Sequence, residues 1–179
     1  GQGQSLNFYS CVLYAASRYR ECVEKGREAI RLLERTGDYW HVHIARYQVA
    51  ASLYHLGDFQ GAIEESRLNH RSGIELGDEQ ASGIILDVWA RASRGEVDDE
   101  IVAPERARKR QDAQGTTQVL LTDGVRHLYA GRMQSARETL ERAADVAANA
   151  GIHNAYTLPT LAWLATAWRK LAEEASRYT

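Results

Sequence analysis

Histidine, cysteine and paired carboxylates are the residues here that could do chemistry, and the chain holds six histidines and two cysteines. His41 and His43 are two apart, which on a helix turns them to different sides. His55, His70, His127 and His153 fall in four separate segments. Neither a His-Glu-x-x-His pair nor a doubled Cys-x-x-Cys is present, so the spacing predicts no metal site and no cofactor. Cys11 and Cys22 read as two reduced core thiols, with a disulfide across the first hairpin as the alternative. Asp98, Asp99 and Glu100 follow Gly95 and suit the positive end of a helix, while Glu64 and Glu65 read as a solvated face. Asp87 and Arg91 are four apart and read as a surface ion pair worth about 0.3–0.5 kcal/mol. No Ser-His-Asp or Cys-His arrangement and no phosphate-cradling glycine loop is legible, so no catalytic residue and no enzyme is expected. The densest basic run, Arg106, Arg108, Lys109 and Arg110, reads as a solvated helix face countered by Glu105 and Asp112. Helical repeats that read RNA need basic residues recurring once per unit on one face. That pattern is missing, so no nucleic-acid partner is expected.

Whatever these groups do, the glycines announce the elements that hold them. Gly57, Gly95 and Gly131 are each followed two residues on by Phe59, Val97 or Met133, and counting back 40 residues from Gly57 reaches Ser17, followed by Tyr19. A second set, Gly37, Gly77, Gly115 and Gly151, lies 20 residues after the first, and both sets step by 40, 38 and 36. Two punctuation marks that change spacing together define a repeat. Glycine just past a helix end closes the last turn without a Cβ penalty, so the first set predicts the turn inside each helical hairpin and the second the turn between hairpins. Asp38 and Asp78 then sit where a capping carboxylate is needed.

Between the marks the periodicity is helical. Residues 19–36 place Tyr19, Cys22, Val23, Gly26, Ala29, Ile30 and Leu33 on one face, and residues 133–150 do so with Met133, Ala136, Leu140, Ala143, Ala147 and Ala150. No stretch alternates as a strand would. A last helix opens at Pro159, a residue suited to a first turn, and runs through Trp163 and Trp168 to about Ser176. The chain thus divides into units of about 5–37, 38–77, 78–115 and 116–151 with a closing helix of about 158–176. The third unit is irregular: Glu100 stands where Ala62 and Ala136 sit in their units, and Pro104 falls inside the expected second helix, which is expected to bend or start there.

Tyr47, Ala50, Leu53, Gly57, Asp58, Phe59 and Ala62 form a pattern that resembles the tetratricopeptide repeat, and Gly124, Gly131, Met133, Ala136, Leu140 and Ala143 repeat it. The period exceeds the family's usual one and is similar to the longer-repeat variety of bacterial signalling proteins such as the maltose-responsive transcription activator. The resemblance covers nearly the whole chain. It implies an all-α, right-handed superhelix of about nine helices, built as a single array over 1–179. In such a fold the first helix of each hairpin lines a concave groove. The family's geometry puts Asn7, Cys11, Tyr14, Tyr47, Ala51, Tyr54, Ile85, Trp89, Leu121, Val125 and Leu128 on or near that groove, with His55 beside it. The expected partner-binding residues are Tyr47, Tyr54, His55, Ile85, Trp89, Leu121, Val125 and Leu128.

Composition fits a folded binder. The chain is 44% hydrophobic and 26% charged, with a net charge of -2, which argues against a general polyanion binder. No apolar run approaches the roughly 20 residues of a membrane span, and the first residues show no signal peptide; a cytoplasmic protein is expected, with no membrane partner. The absence of an initiator Met suggests a piece of a longer protein. The expected function is a non-enzymatic sensing or scaffolding module of a larger bacterial signalling or regulatory protein. It would hold a protein, a peptide or a neighbouring domain. Two alternatives stand beside it: a homodimer formed through the closing helix with Trp163, Leu164 and Trp168, and a helical regulator with hydrolase activity.

Overall fold

Short polar turns separate amphipathic runs throughout the chain, and the computed structural model, which describes residues 1–177, resolves those runs into ten helical segments. They are α1 (Gln2–Ala15), α2 (Tyr19–Glu34), α3 (Tyr39–His55), α4 (Phe59–Leu76), α5 (Glu79–Ile84), α6 (Leu86–Ala92), α7 (Asp99–Ala107), α8 (Ala113–Tyr129), α9 (Met133–Asn149) and α10 (Pro159–Ala175). Segments α5 and α6 are two parts of one helix interrupted at Ile85. No strand occurs among the described residues.

The chain divides into two compact units, the first from Gly1 to Ala92 and the second from Ser93 onward. In the first, each helix packs on the next from α1 to α4, α4 packs on both α5 and α6, and α1 and α3 also touch. In the second, α7 packs on α8, α8 on α9, and α10 on both α9 and α8.

The expected turns form at Gly37, Gly57, Gly77, Gly95, Gly131 and Gly151, all with φ between 67° and 83°. Ser17, which holds the turn position with no glycine, is forced to the same region at φ 58°. Gly115 departs from the expectation. It lies inside α8, and its N–H donates to the Asp112 carboxylate at 2.7 Å; this glycine belongs to a capped first turn, and the chain reverses before it. Asp38 and Asp78 cap α3 and α5 as expected, and Asp58 caps α4 in the same way.

Packing follows the sequence period where helices cross. Cys22, Val23, Gly26, Ala29, Ile30 and Leu33 of α2 are buried, as are Ala136, Leu140, Ala143 and Ala147 of α9. The closest approaches need glycine: a Cβ on Gly26 would stand 2.6 Å from Val49 Cγ2, and one on Gly73 would stand 2.5 Å from the Ser82 backbone nitrogen. The third unit is the irregular one. Its second helix does not start at Pro104. α7 begins at Asp99, carries Pro104 inside, and stops at Ala107, a length of nine residues. Glu100 stays exposed in its first turn, where acids are favoured. Pro159 opens α10 as expected.

Both cysteines are free thiols, which removes the disulfide alternative. Cys22 is fully buried, and its thiol donates to the Ser10 carbonyl at 3.2 Å. Burial, with the neighbouring Cys22 adding to it, pushes the Cys11 thiol up to about 11.

Candidate partner-binding surface

Six of the eight residues expected to meet a partner face inward: Ile85, Leu121 and Val125 have no exposed surface, and Trp89, Tyr47 and Leu128 keep 6–7%. Their surface is already taken up by packing, so they build the helix layers instead of presenting a groove. Asn7, Tyr14 and Ala51 are buried as well, and Cys11 is half-buried. Tyr54 and His55 alone of the expected set reach solvent.

The Asp87–Arg91 pair is also misplaced by the sequence reading. It is a core feature, with side-chain exposures of 0% and 2%. Arg91 Nη2 donates to Asp87 Oδ2 at 2.7 Å and Arg91 Nε donates to the Asp87 carbonyl at 3.2 Å. Tyr47, one of the expected groove residues, instead donates its hydroxyl to Asp87 Oδ1 at 3.3 Å. The Arg91 guanidinium lies 4.8 Å from the centre of the Tyr54 ring, a cation–π contact that gains strength without water. Burial pushes the Asp87 carboxyl above its ordinary value, with Arg91 pulling the other way. For Arg91, burial is outweighed by Asp87 and the tyrosines around it, so its charge is held more firmly than in water.

Above this buried pair lies a continuous group of rings. His55 stacks on Tyr19 with centroids 4.5 Å apart and planes 11° from parallel. Tyr14 lies 6.0 Å from His55 and 5.9 Å from Tyr19. Tyr54 lies 5.5 Å from His55 and 5.7 Å from Phe59. Tyr14 ends α1 and Tyr19 starts α2; Tyr54 and His55 end α3 and Phe59 starts α4. The rings therefore gather at the hairpin turns around Ser17 and Gly57, and not along the middles of the first helices. Phe59 remains 49% exposed, and His55 is exposed at its edge. Burial against the rings, and Arg91 behind them, lower the His55 imidazole below its usual range, so the ring is neutral near pH 7.

A sequence signal for this surface existed. Tyr14 and Tyr54 are 40 residues apart, and so are Tyr19 and Phe59. The equivalent positions of the later units are Ala92 and Val97, then Leu128 and Met133, so only the first two units carry aromatic rings at these two positions, although Tyr129 stands beside the Gly131 turn and meets Trp163. A second, smaller aromatic patch lies where α3 begins. There His41 meets Phe8 edge-on at 5.8 Å and Trp40 at 4.7 Å, with Phe8 and Trp40 both more than half exposed.

His41 and His43 are tied into local structure. His43 is buried and bridges the Asp78 carboxylate at 2.7 Å and the Ser72 hydroxyl at 2.8 Å. His41 meets the Asp38 carboxylate at 2.9 Å. Among the described residues no group of three or more His, Cys, Asp or Glu side chains could hold a metal ion. No helix among them is long and apolar enough to cross a membrane.

Compared with known proteins, the chain matches no protein-family model, no curated protein and no solved structure.

Proposed function

We propose that this chain is a non-catalytic, tetratricopeptide-like binding module. In this reading it is the sensing or scaffolding segment of a larger bacterial signalling or regulatory protein, and its hairpins wind as a right-handed superhelix. Its partner is a protein or peptide segment, or a neighbouring domain of the parent chain, and neither nucleic acid nor membrane. The observation that carries the reading is the ring cluster of Tyr14, Tyr19, Tyr54, His55 and Phe59 braced by the buried Arg91–Asp87 pair. Rigid aromatic groups give large contact area at low entropic cost and dominate binding energy at interfaces. Fixing them from beneath with a buried, hydrogen-bonded arginine costs desolvation, which a purely structural core of this size could avoid with an aliphatic residue.

Peptides selected on the chain from a random phage-displayed library test this. The expected result is that selected peptides lose at least tenfold in affinity for the His55→Ala/Phe59→Ala double variant while its helical circular dichroism is unchanged. Both side chains are exposed, so the fold tolerates their loss. Peptides that bind wild type and variant equally well would overturn the assignment.

A second reading rests on α10. Leu161, Ala165, Trp168 and Ala172 recur at helical spacing and all are exposed, Leu161 by 53% and Trp168 by 49%. Such a stripe suits self-association through the closing helix, the homodimer alternative.

A further inference from the structure

The second unit holds a cavity of about 380 Å³ whose walls are unusually rich in arginine. Arg106, Arg108 and Arg110 reach it from the end of α7 and the segment that follows, and Arg142 reaches it from α9. Against these four cations stand two lining carboxylates, Glu105 and Asp123. Both acids are already engaged. Glu105, only 2% exposed, receives Arg108 at 3.2 Å and Arg110 in a still closer contact. Asp123, 5% exposed, receives Arg106 and Arg126, each at 3.1 Å. Asp99, which does not line the cavity, also meets Arg126 at 3.1 Å and Arg106 at 3.7 Å. Arg142 forms no ion pair among the described residues, so the wall carries an excess of two positive charges with one guanidinium unmatched.

The basic run was expected to be a solvated helix face. Arg106 and Lys109 are exposed as expected, but Arg108 and Arg110 fold back on the buried Glu105, and Arg110 is only 7% exposed. Asp112, expected to counter the run, is spent on capping α8. Holding several guanidiniums together beside a cavity is unfavourable unless an anion joins them.

The lining also has an apolar side. Val119 and Leu120 of α8 and Val146 of α9 face the same space, and Thr139 stands one turn from Arg142. His127 completes the wall. Arg132 Nε donates to His127 Nδ1 at 2.9 Å, which places the ring proton on Nε2 and leaves that nitrogen a donor. Burial and then Arg132 lower its imidazole below the usual range, so His127 adds a donor without adding charge.

We propose that this cavity is a binding site for a small organic phosphate monoester, with the phosphate against Arg142 and the Arg106 side of the cluster and the organic body on Val119, Leu120 and Val146. The excess of two charges matches the roughly −1.5 to −2 of a phosphate monoester at pH 7. Guanidinium forks match phosphate oxygens geometrically. The volume lies within the roughly 300–1,000 Å³ of small-molecule sites, too small to follow a polymer backbone.

The site is independent of the aromatic cluster in the first unit, so either reading can fail alone. Calorimetric titration of the whole chain at constant ionic strength tests it, with phenyl phosphate, inorganic phosphate, benzoate and sodium chloride as probes. Phenyl phosphate is expected to bind at least fivefold more tightly than inorganic phosphate or benzoate, and sodium chloride to give no saturable heat. Arg142→Ala is expected to weaken phenyl phosphate at least tenfold without changing helicity, since this residue is exposed, and Arg142→Lys to recover part of the loss. Benzoate binding as tightly as phenyl phosphate would overturn the phosphate assignment. No saturable heat beyond sodium chloride, or unaltered binding by Arg142→Ala, would overturn the site.

Discussion

Asp87 and Arg91 show how one spacing can mean two opposite things. Four residues apart on a helix brings two side chains together whether their face meets water or core, and the burial that decides between them is set by Tyr47 and Tyr54 from another helix. The energetic consequence differs by an order of magnitude. Removing one partner of a buried pair strands the other and costs about 3–5 kcal/mol. Asp87→Ala is therefore expected to lower the denaturation midpoint of the first unit sharply, and Asp87→Leu combined with Arg91→Met to recover most of it, as read by urea unfolding. His55 gives a second prediction at this scale. Its folded-state imidazole is lowered by burial and by Arg91, so the unfolded chain binds its proton more readily. The stability it contributes is present above the ordinary value of about 6.5 and is lost as pH falls through the lower folded value. Titration of its ring protons by NMR is expected to give a midpoint below 6.5, and His55→Gln to flatten the acid side of the stability profile. A midpoint above that value would contradict the placement of Arg91 behind the rings.

Helices and turns were the most legible level because their signals are local. Glycine in a left-handed turn and aspartate at a cap act within a few residues, and six of the glycine marks formed turns. Gly115 misled because glycine serves equally in a capped first turn, and only the structure distinguishes the two uses. α7 shows a different limit: its nine residues are too few for periodicity to define the ends, and Pro104 was tolerated one turn before the stop. The tight crossing at Gly73 is a prediction of this level. A Cβ there meets the Ser82 nitrogen at 2.5 Å and the Ala81 carbonyl carbon at 2.9 Å, and backbone cannot swing aside as a side chain can. Gly73→Ala is expected to destabilise the first unit by about 1–3 kcal/mol despite its better helix propensity, measured by thermal unfolding. At Gly124 the added carbon would meet only the Leu140 side chain, so the same substitution there is expected to cost less.

At the scale of the whole molecule, the turn positions were readable from spacing and the division into two units was not. The boundary falls at Ala92 and Ser93, inside the third unit expected from the spacing, where α7 is short and α5–α6 is interrupted. Nothing in the glycine marks signals that change, since the turn at Gly95 keeps its place. The candidate surface was half legible. Tyr54 and His55 lie on one of the first helices that the resemblance directs to the groove, while Tyr19 and Phe59 belong to the following helices, which it does not. The closing helix makes the prediction for this scale. Trp168→Glu is expected to abolish any rise in mass with concentration measured by light scattering, and a wild-type chain that stays monomeric at high concentration would remove the self-association reading.

The two thiols give the molecule an internal clock. Cys11 and Cys22 both lie in the first unit, and no cysteine lies elsewhere in the chain. Cys22 is sealed between α1, α2 and α3, with its thiol on the Ser10 carbonyl, so an alkylating reagent reaches it only when that packing opens. When opening and closing are fast relative to labelling, the rate follows the population of the open form. Alkylation of Cys22 therefore reports how often the first unit opens, while the second unit stays chemically silent. A peptide held on the rings at the same hairpins would slow that clock by the factor its binding stabilises them.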